Sequence, residues 1–262
     1  MIIGQVKGNP DVATASIVAK RYTDGPSQLH NDALIARSIT FQGGSIDFTL
    51  FNTTGFASGI PTQGPLTFMD WYNVMPFADS VVTATVTGRQ LKEILTSNAK
   101  RIVRPRELTG TNSLQLSGYI SRGFLHFSKG IRYAVKLGSS ATVATAVDIQ
   151  LNGTPIEQVL DKTFRLGMNS YIAAGGYGEN WNGNPIGANV PGSIKGYDLK
   201  SLNKLDTGLV YRNEVIAFIK ETAEVSPQYG CPGRTTENHC LMKGTPDKED
   251  ENGSSLFIVG KA

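Results

Sequence analysis

Hydrophobic and polar positions alternate most regularly over residues 80–87, a β-branched run that predicts a strand. Residues 46–51 alternate in the same way. Further strands are predicted at 131–137, 144–151, 164–169 and 256–259, with a tight turn at Asn152 and Gly153 closing the second of these. Helical spacing replaces this pattern in four places. Ala33, Leu34 and Ala36 mark a helix over 31–38. Phe68, Trp71, Tyr72 and Met75 mark a short one that Thr67 can cap and Pro76 stops. Leu91, Ile94, Leu95 and Ala99 mark a helix opened by Thr87 and Gly88, and Val215, Ile216, Phe218 and Ile219 one over 212–225. Residues 52–64 and 175–197 are rich in Gly and Pro and are expected as loops. No internal repeat is present. Strands and helices alternate irregularly, with no Gly-rich turn of the dinucleotide-binding kind. This predicts one mixed α/β (α+β) domain over 1–262, a layered mixed β-sheet with flanking helices.

Composition narrows the class of protein. The 262 residues carry 25 Lys and Arg against 22 Asp and Glu, a net charge of +3, and 40% of them are hydrophobic. This is the composition of a chain with a sizeable core, too weakly basic to argue for a nucleic-acid polymer as partner. The densest basic cluster, Lys100, Arg101, Arg104 and Arg106, reads as a solvated helix end, with a phosphate-steering role as the alternative. No stretch is long and apolar enough for a membrane span, and the first residues lack the apolar core of a secretory signal. Only two cysteines occur, Cys231 and Cys240. Their spacing suits a disulfide closing a small surface loop, with two free thiols as the alternative. Asn52, Asn152 and Asn252 each head an Asn-x-Ser/Thr triplet. Together these favour a secreted or periplasmic glycoprotein whose signal is not in this sequence, its last part (226–262) a cysteine loop, a polar excursion and a terminal strand.

The catalytic inventory is short. His30, His126 and His239 are the only histidines, and no carboxylate clusters with them in the sequence. Two bridged divalent ions would need about seven to nine ligands, so no metal site and no catalytic residue is expected here. Neither a nucleophile elbow nor a phosphate-binding Gly-Lys loop is present. Two aromatic residues beside small ones stand out instead: Phe124 within 122–127, and Tyr171, followed by Ala173, Ala174, Gly175 and Gly176. Glycines let a ligand or backbone approach closely, and two facing rings would form a stacking slot for a flat ligand. Both rings also suit an ordinary core.

At these residues the chain resembles the C-terminal domain of the 5'-nucleotidase and UDP-sugar hydrolase family. Phe51 to Ser58 falls on a family Asn-Gly-Gly-Gly-Ile-Arg block, Gly64 to Phe77 on a Gly-x-Ile-Thr…Val-Leu-Pro-Phe block, and Val86 to Lys92 on a Leu-Thr-Gly-x-x-Leu-Lys helix start. Residues 124–130 and 169–176 resemble its two aromatic-bearing segments, and the likeness runs from about residue 3 to 225. The resemblance implies that the base of a nucleoside or nucleotide lies between Phe124 and Tyr171, that Asn52 helps to hold it, and that Gly175 and Gly176 border it. It places catalysis, with divalent metals, in a separate N-terminal metallophosphoesterase domain, so this chain alone would catalyse nothing. Two departures weaken the phosphate and ribose contacts: Ala57 stands where the family has Arg, and Tyr177 where it has Asp. Thr53 and Thr54 also replace two glycines. The ligand then differs, or the pocket has decayed. A non-catalytic binding module on the same fold, and a hydrolase with its own unrecognised site, are the alternatives. Asn52 is expected buried and without a glycan.

Overall fold

The β-branched run at 80–87 is a strand and the Thr87-Gly88 step does open a helix. The computed structural model of the chain describes residues 1–8, 25–52, 55–101, 116–117, 120–121, 125–128, 130–136, 144–176, 197–225, 242–243 and 256–259. In chain order the elements are β1 (Ile2–Val6), α1 (Gly25–Arg37), β2 (Phe48–Asn52), β3 (Gly64–Thr67), α2 (Phe68–Val74), β4 (Ser80–Thr87), α3 (Gly88–Ala99), β5 (Leu116–Ser117), β6 (Ile120–Ser121), β7 (Leu125–Phe127), β8 (Ile131–Lys136) and β9 (Thr145–Leu151). They continue with β10 (Thr154–Pro155), β11 (Thr163–Asn169), α4 (Ser170–Ala173), β12 (Lys204–Val210), α5 (Tyr211–Thr222), β13 (Glu224–Val225), β14 (Met242–Lys243) and β15 (Leu256–Val259).

A five-stranded sheet in the order β12-β4-β11-β2-β7 lies at the centre. Its β2 and β11 run parallel, with Leu166 opposite Phe48 and Gly167 opposite Thr49, and its other pairs are antiparallel. All five residues of β2 are buried because both faces of this sheet are covered. On one side Phe51 and Val81 join Leu34 of α1, Trp71 of α2 and Val215 and Ile219 of α5. On the other, Leu50, Val86 and Met168 meet Leu91 and Ile94 of α3 and Tyr133 and Ile149 of the second sheet, β10-β9-β8-β15-β14. A small sheet, β13-β1-β3, closes the first side. The layered α+β arrangement expected from the sequence is the one observed.

Local chemistry explains the element boundaries. Thr67 caps α2 and Thr87 caps α3, each in a reciprocal capping box with Asp70 and Gln90. Asn152 (φ 49°) and Gly153 (φ 80°) make the left-handed two-residue turn from β9 to β10 that the Asn-Gly pair predicts. At the end of α3, Asn98 reaches β7. Its Oδ1 accepts from the Leu125 amide (2.8 Å), and its Nδ2 donates to the Leu125 carbonyl (2.9 Å) and to the Tyr133 hydroxyl (3.2 Å). Asn98→Ala leaves buried backbone groups unpaired and should lower stability by about 2 kcal/mol or more, read from urea denaturation.

Four expectations need correction. The first helix begins at Gly25 rather than Asn31, because a Gly-Pro-Ser start suits a first turn although it breaks the apolar pattern. Gly64, expected as the last residue of a loop, instead opens β3, which pairs with β1 although it contains Gly64 and Pro65. The last helix ends at Thr222, where Ala223 turns left-handed (φ 60°) and Glu224–Val225 pairs parallel with β1. Arg101 is not at a solvated helix end: it is 1% exposed. Arg104, Arg106, Phe124, Tyr177, Cys231, His239, Cys240, Asn252 and the polar stretch 246–255 lie outside the described residues.

Candidate functional site

Because β2 and β11 are parallel, their carboxyl ends lie side by side, the usual place for a ligand in such sheets. Asn52 ends β2 and Asn169 ends β11. Both are buried, at 4% and 2% exposure, and they touch: Asn169 Nδ2 donates to Asn52 Oδ1 at 2.7 Å. The other end of the same amide, Asn169 Oδ1, accepts from the Ile172 backbone at 2.9 Å and so caps α4.

That cap puts Tyr171 in the first turn of α4, and its ring is 42% exposed while Ile172 and Ala173 beside it are buried. The chain then turns at Gly175 (φ 98°), and the Gly176 amide donates to the Tyr171 carbonyl at 2.9 Å. A Cβ on Gly176 would come within 2.6 Å of Tyr171 Cε1 and Cδ1. Gly176 thus lies directly against the ring that the sequence singles out.

On the opposite flank of β2, β7 runs antiparallel and pairs Leu125 with Asn52. Leu125 is the residue after Phe124 in the sequence. The strand leading to Tyr171 and the strand that follows Phe124 therefore flank the same end of β2, two strand spacings or about 10 Å apart. Among the described residues Asn52 touches Asn169, and Tyr171, Gly175 and Gly176 follow Asn169 in the next turn. Asn169 is the member that sequence reasoning missed. Its capping position before a short turn was legible, but its reach to Asn52 depends on sheet register.

Ser170 Oγ donates to Asp79 Oδ1 (3.1 Å) and accepts from the Ser80 amide (3.1 Å), tying α4 to the start of β4. Asp79 also raises the Tyr211 phenol above its ordinary value, the smaller cause after complete burial. The Tyr211 hydroxyl has no hydrogen-bond partner among the described residues. An unfolded phenol ionises near 10.0 and the buried one does not. Stability should hold below that pH and fall above it, by about 1.4 kcal/mol per pH unit from this residue. Tyr211→Phe should flatten that fall, as denaturation at pH 8, 10 and 11 would show, and cost little at pH 8.

Two histidines are core residues. His30 stacks between Phe51 (4.7 Å) and Trp71 (5.4 Å), with Phe56 edge-on at 4.5 Å, and His126 is also buried. Among the described residues no three His, Cys, Asp or Glu side chains come together to hold a metal ion. No helix among the described residues is long and apolar enough to cross a membrane. Asn152 is exposed in its turn, whereas Asn52 is not.

Residues 2–183 match the family described as "5'-nucleotidase, C-terminal domain", and the chain belongs to that family. It is similar to a protein of Treponema pallidum described as "Probable 5'-nucleotidase", 26% identical over 142 residues, covering 52% of this chain and 21% of that one. It is also similar to the trifunctional nucleotide phosphoesterase protein YfkN of Bacillus subtilis, 29% identical over 148 residues, covering 56% of this chain and 9% of that one. The matches thus span about a fifth or less of those proteins. Among solved structures, the 5'-nucleotidase precursor of Thermus thermophilus has the same fold (TM-score 0.58, 22% identity), covering 86% of this chain and 37% of that one. So has the NAD nucleotidase of Haemophilus influenzae (TM-score 0.55, 19% identity, 87% and 36%).

Proposed function

We propose that this chain is the substrate-recognition part of a secreted 5'-nucleotidase-type phosphoesterase acting in nucleotide catabolism. It stacks the base of a nucleoside or nucleotide between Phe124 and Tyr171 at the carboxyl end of β2. The observation that carries this reading is the pairing on either side of that end: Leu125 opposite Asn52 on one flank and Asn169 bonded to Asn52 on the other, with the exposed Tyr171 two residues after Asn169. Gly175 and Gly176 keep that side of the cleft low. Metal-dependent bond cleavage belongs to a separate N-terminal domain, as in the family. Neither the chain's charge nor its site suggests a nucleic-acid polymer.

The same reading places the protein outside the cytoplasm, with Cys231 bridged to Cys240. Of the two triplets whose Asn is described, Asn152 is the one placed to carry a glycan. Its exposed turn is open to a transferase, while burial closes Asn52 to it. Ala57, exposed where the family has Arg, supports a second reading: a non-catalytic module that binds a nucleoside without gripping a phosphate.

Calorimetric titration with adenosine, AMP and UDP-glucose tests both. Binding of at least one, weakened about 5- to 150-fold by Phe124→Ala and by Tyr171→Ala, is expected from the loss of one stacked ring, about 1–3 kcal/mol. Adenosine and AMP binding equally favours the second reading. No heat with any ligand overturns both.

A further inference from the structure

We propose that Asn169 is a positioning residue that sets both the turn carrying Tyr171 and the Asn52 amide at once, a role that rests on the reading of the site just given. An amide has two ends, an acceptor and a donor. Asn169 spends its acceptor on the Ile172 amide, which fixes the first turn of α4 and with it the backbone of Tyr171. Its donor goes to Asn52 Oδ1. That bond fixes which way the Asn52 amide faces, since the oxygen is held towards β11 and the Nδ2 edge turns away from it. The side chain is 2% exposed, so neither bond competes freely with water.

The shape of the residue matters as well as its polarity. Asn169 sits in β-region backbone (φ −83°, ψ 160°), where a short side chain can reach forward to the third residue and sideways to the neighbouring parallel strand. Aspartate can keep the first bond but has no donor for the second. Serine and threonine can cap but are too short to carry a second polar group to Asn52. Only asparagine does both with one rigid plane.

Asn169→Ala and Asn169→Asp separate these roles. Asn169→Ala should weaken adenosine binding at least tenfold. Asn169→Asp should keep the α4 cap and still weaken binding, by about three- to tenfold, through Asn52. In a double-variant cycle, Asn169→Asp should add no more than about twofold once Asn52 is already alanine. Thr87→Ala removes the cap of α3, which lies outside the cleft, and should lower the melting temperature while leaving adenosine affinity within twofold. Hydrogen exchange read without ligand should show faster exchange at Ile172 in Asn169→Ala and unchanged exchange in Asn169→Asp.

Affinity within twofold of wild type in Asn169→Ala overturns the proposal, as does full additivity of Asn169→Asp with Asn52→Ala. If the wild type itself binds none of adenosine, AMP and UDP-glucose, the nucleoside reading falls. The exchange measurement then decides alone, and an Ile172 amide as protected in Asn169→Ala as in wild type overturns the positioning role.

Discussion

Gly88→Ala should destabilise the protein by about 3 kcal/mol or more, and lower its melting temperature by about 6–12 °C. Gly88 is the first residue of α3, where the capped helix leaves β4. A Cβ there would stand 2.3 Å from the Val159 carbonyl oxygen, 2.9 Å from its carbon and 3.0 Å from Leu160 Cα. All three are backbone atoms, so no rotamer change relieves the clash. They are also held in place, since the Gly88 amide donates to the Lys162 carbonyl (3.0 Å) and Arg89 to that of Leu160 (2.9 Å). The helix would have to lift from this loop, and Leu91, Ile94 and Leu95 would leave the core that lies between the two large sheets. Thr87→Ala at the preceding position loses only a cap, about 1 kcal/mol. Thermal and urea unfolding of the two variants side by side should show the glycine to be the more costly change. A Gly88→Ala protein within 2 °C of wild type would contradict this packing.

Gly176→Ala should cost binding more than it costs stability. Its Cβ would lie 2.5 Å from Tyr171 Cε1, 2.6 Å from Cδ1 and 2.7 Å from the Tyr171 carbonyl oxygen. Tyr171 is 42% exposed, and a displacement of its ring relieves two of the three contacts. The position it leaves is the one proposed for stacking, and the third contact pushes the short α4 turn itself. Affinity for adenosine should drop at least tenfold, with a smaller fall in melting temperature than Gly88→Ala shows. Unchanged affinity would mean that the ring takes no part in holding the ligand.

These two glycines show what a single sequence makes legible. Thr87 with Gly88 could be read as a helix start from the hydroxyl cap and the apolar spacing after it, and Gly175 with Gly176 as room beside an aromatic residue. Short-range chemistry of this kind repeats wherever the residues occur together. The Asn152-Gly153 turn and the capping boxes at Thr67 and Thr87 belong to the same class. The features that stayed hidden depend on partners distant in the chain. Strand β12 (Lys204–Val210) is mostly exposed or half-buried and contains Gly208, so its residues carry no strand pattern; pairing with β4 makes it a strand. Arg101 looks like a solvent residue by type, and only its place under the fold buries it. The contact between Asn52 and Asn169, 117 positions apart, follows from the register of β2 against β11, which neither strand specifies alone. Family resemblance supplied Asn52 and Tyr171 as site residues, but had no role for Asn169.

The proposed function stands or falls with a nucleoside docking at the carboxyl end of β2 against Tyr171. Backbone and side-chain amide spectra recorded during an adenosine titration are its sharpest test. Shifts should concentrate at Asn52, Leu125 and residues 169–176, with ring-current displacement of the Tyr171 ring signals. Shifts clustered instead at the far end of β2, around Asp32, Asp47 and Asn152 where an open cleft of about 330 Å³ lies, would contradict it, as would no shifts at all.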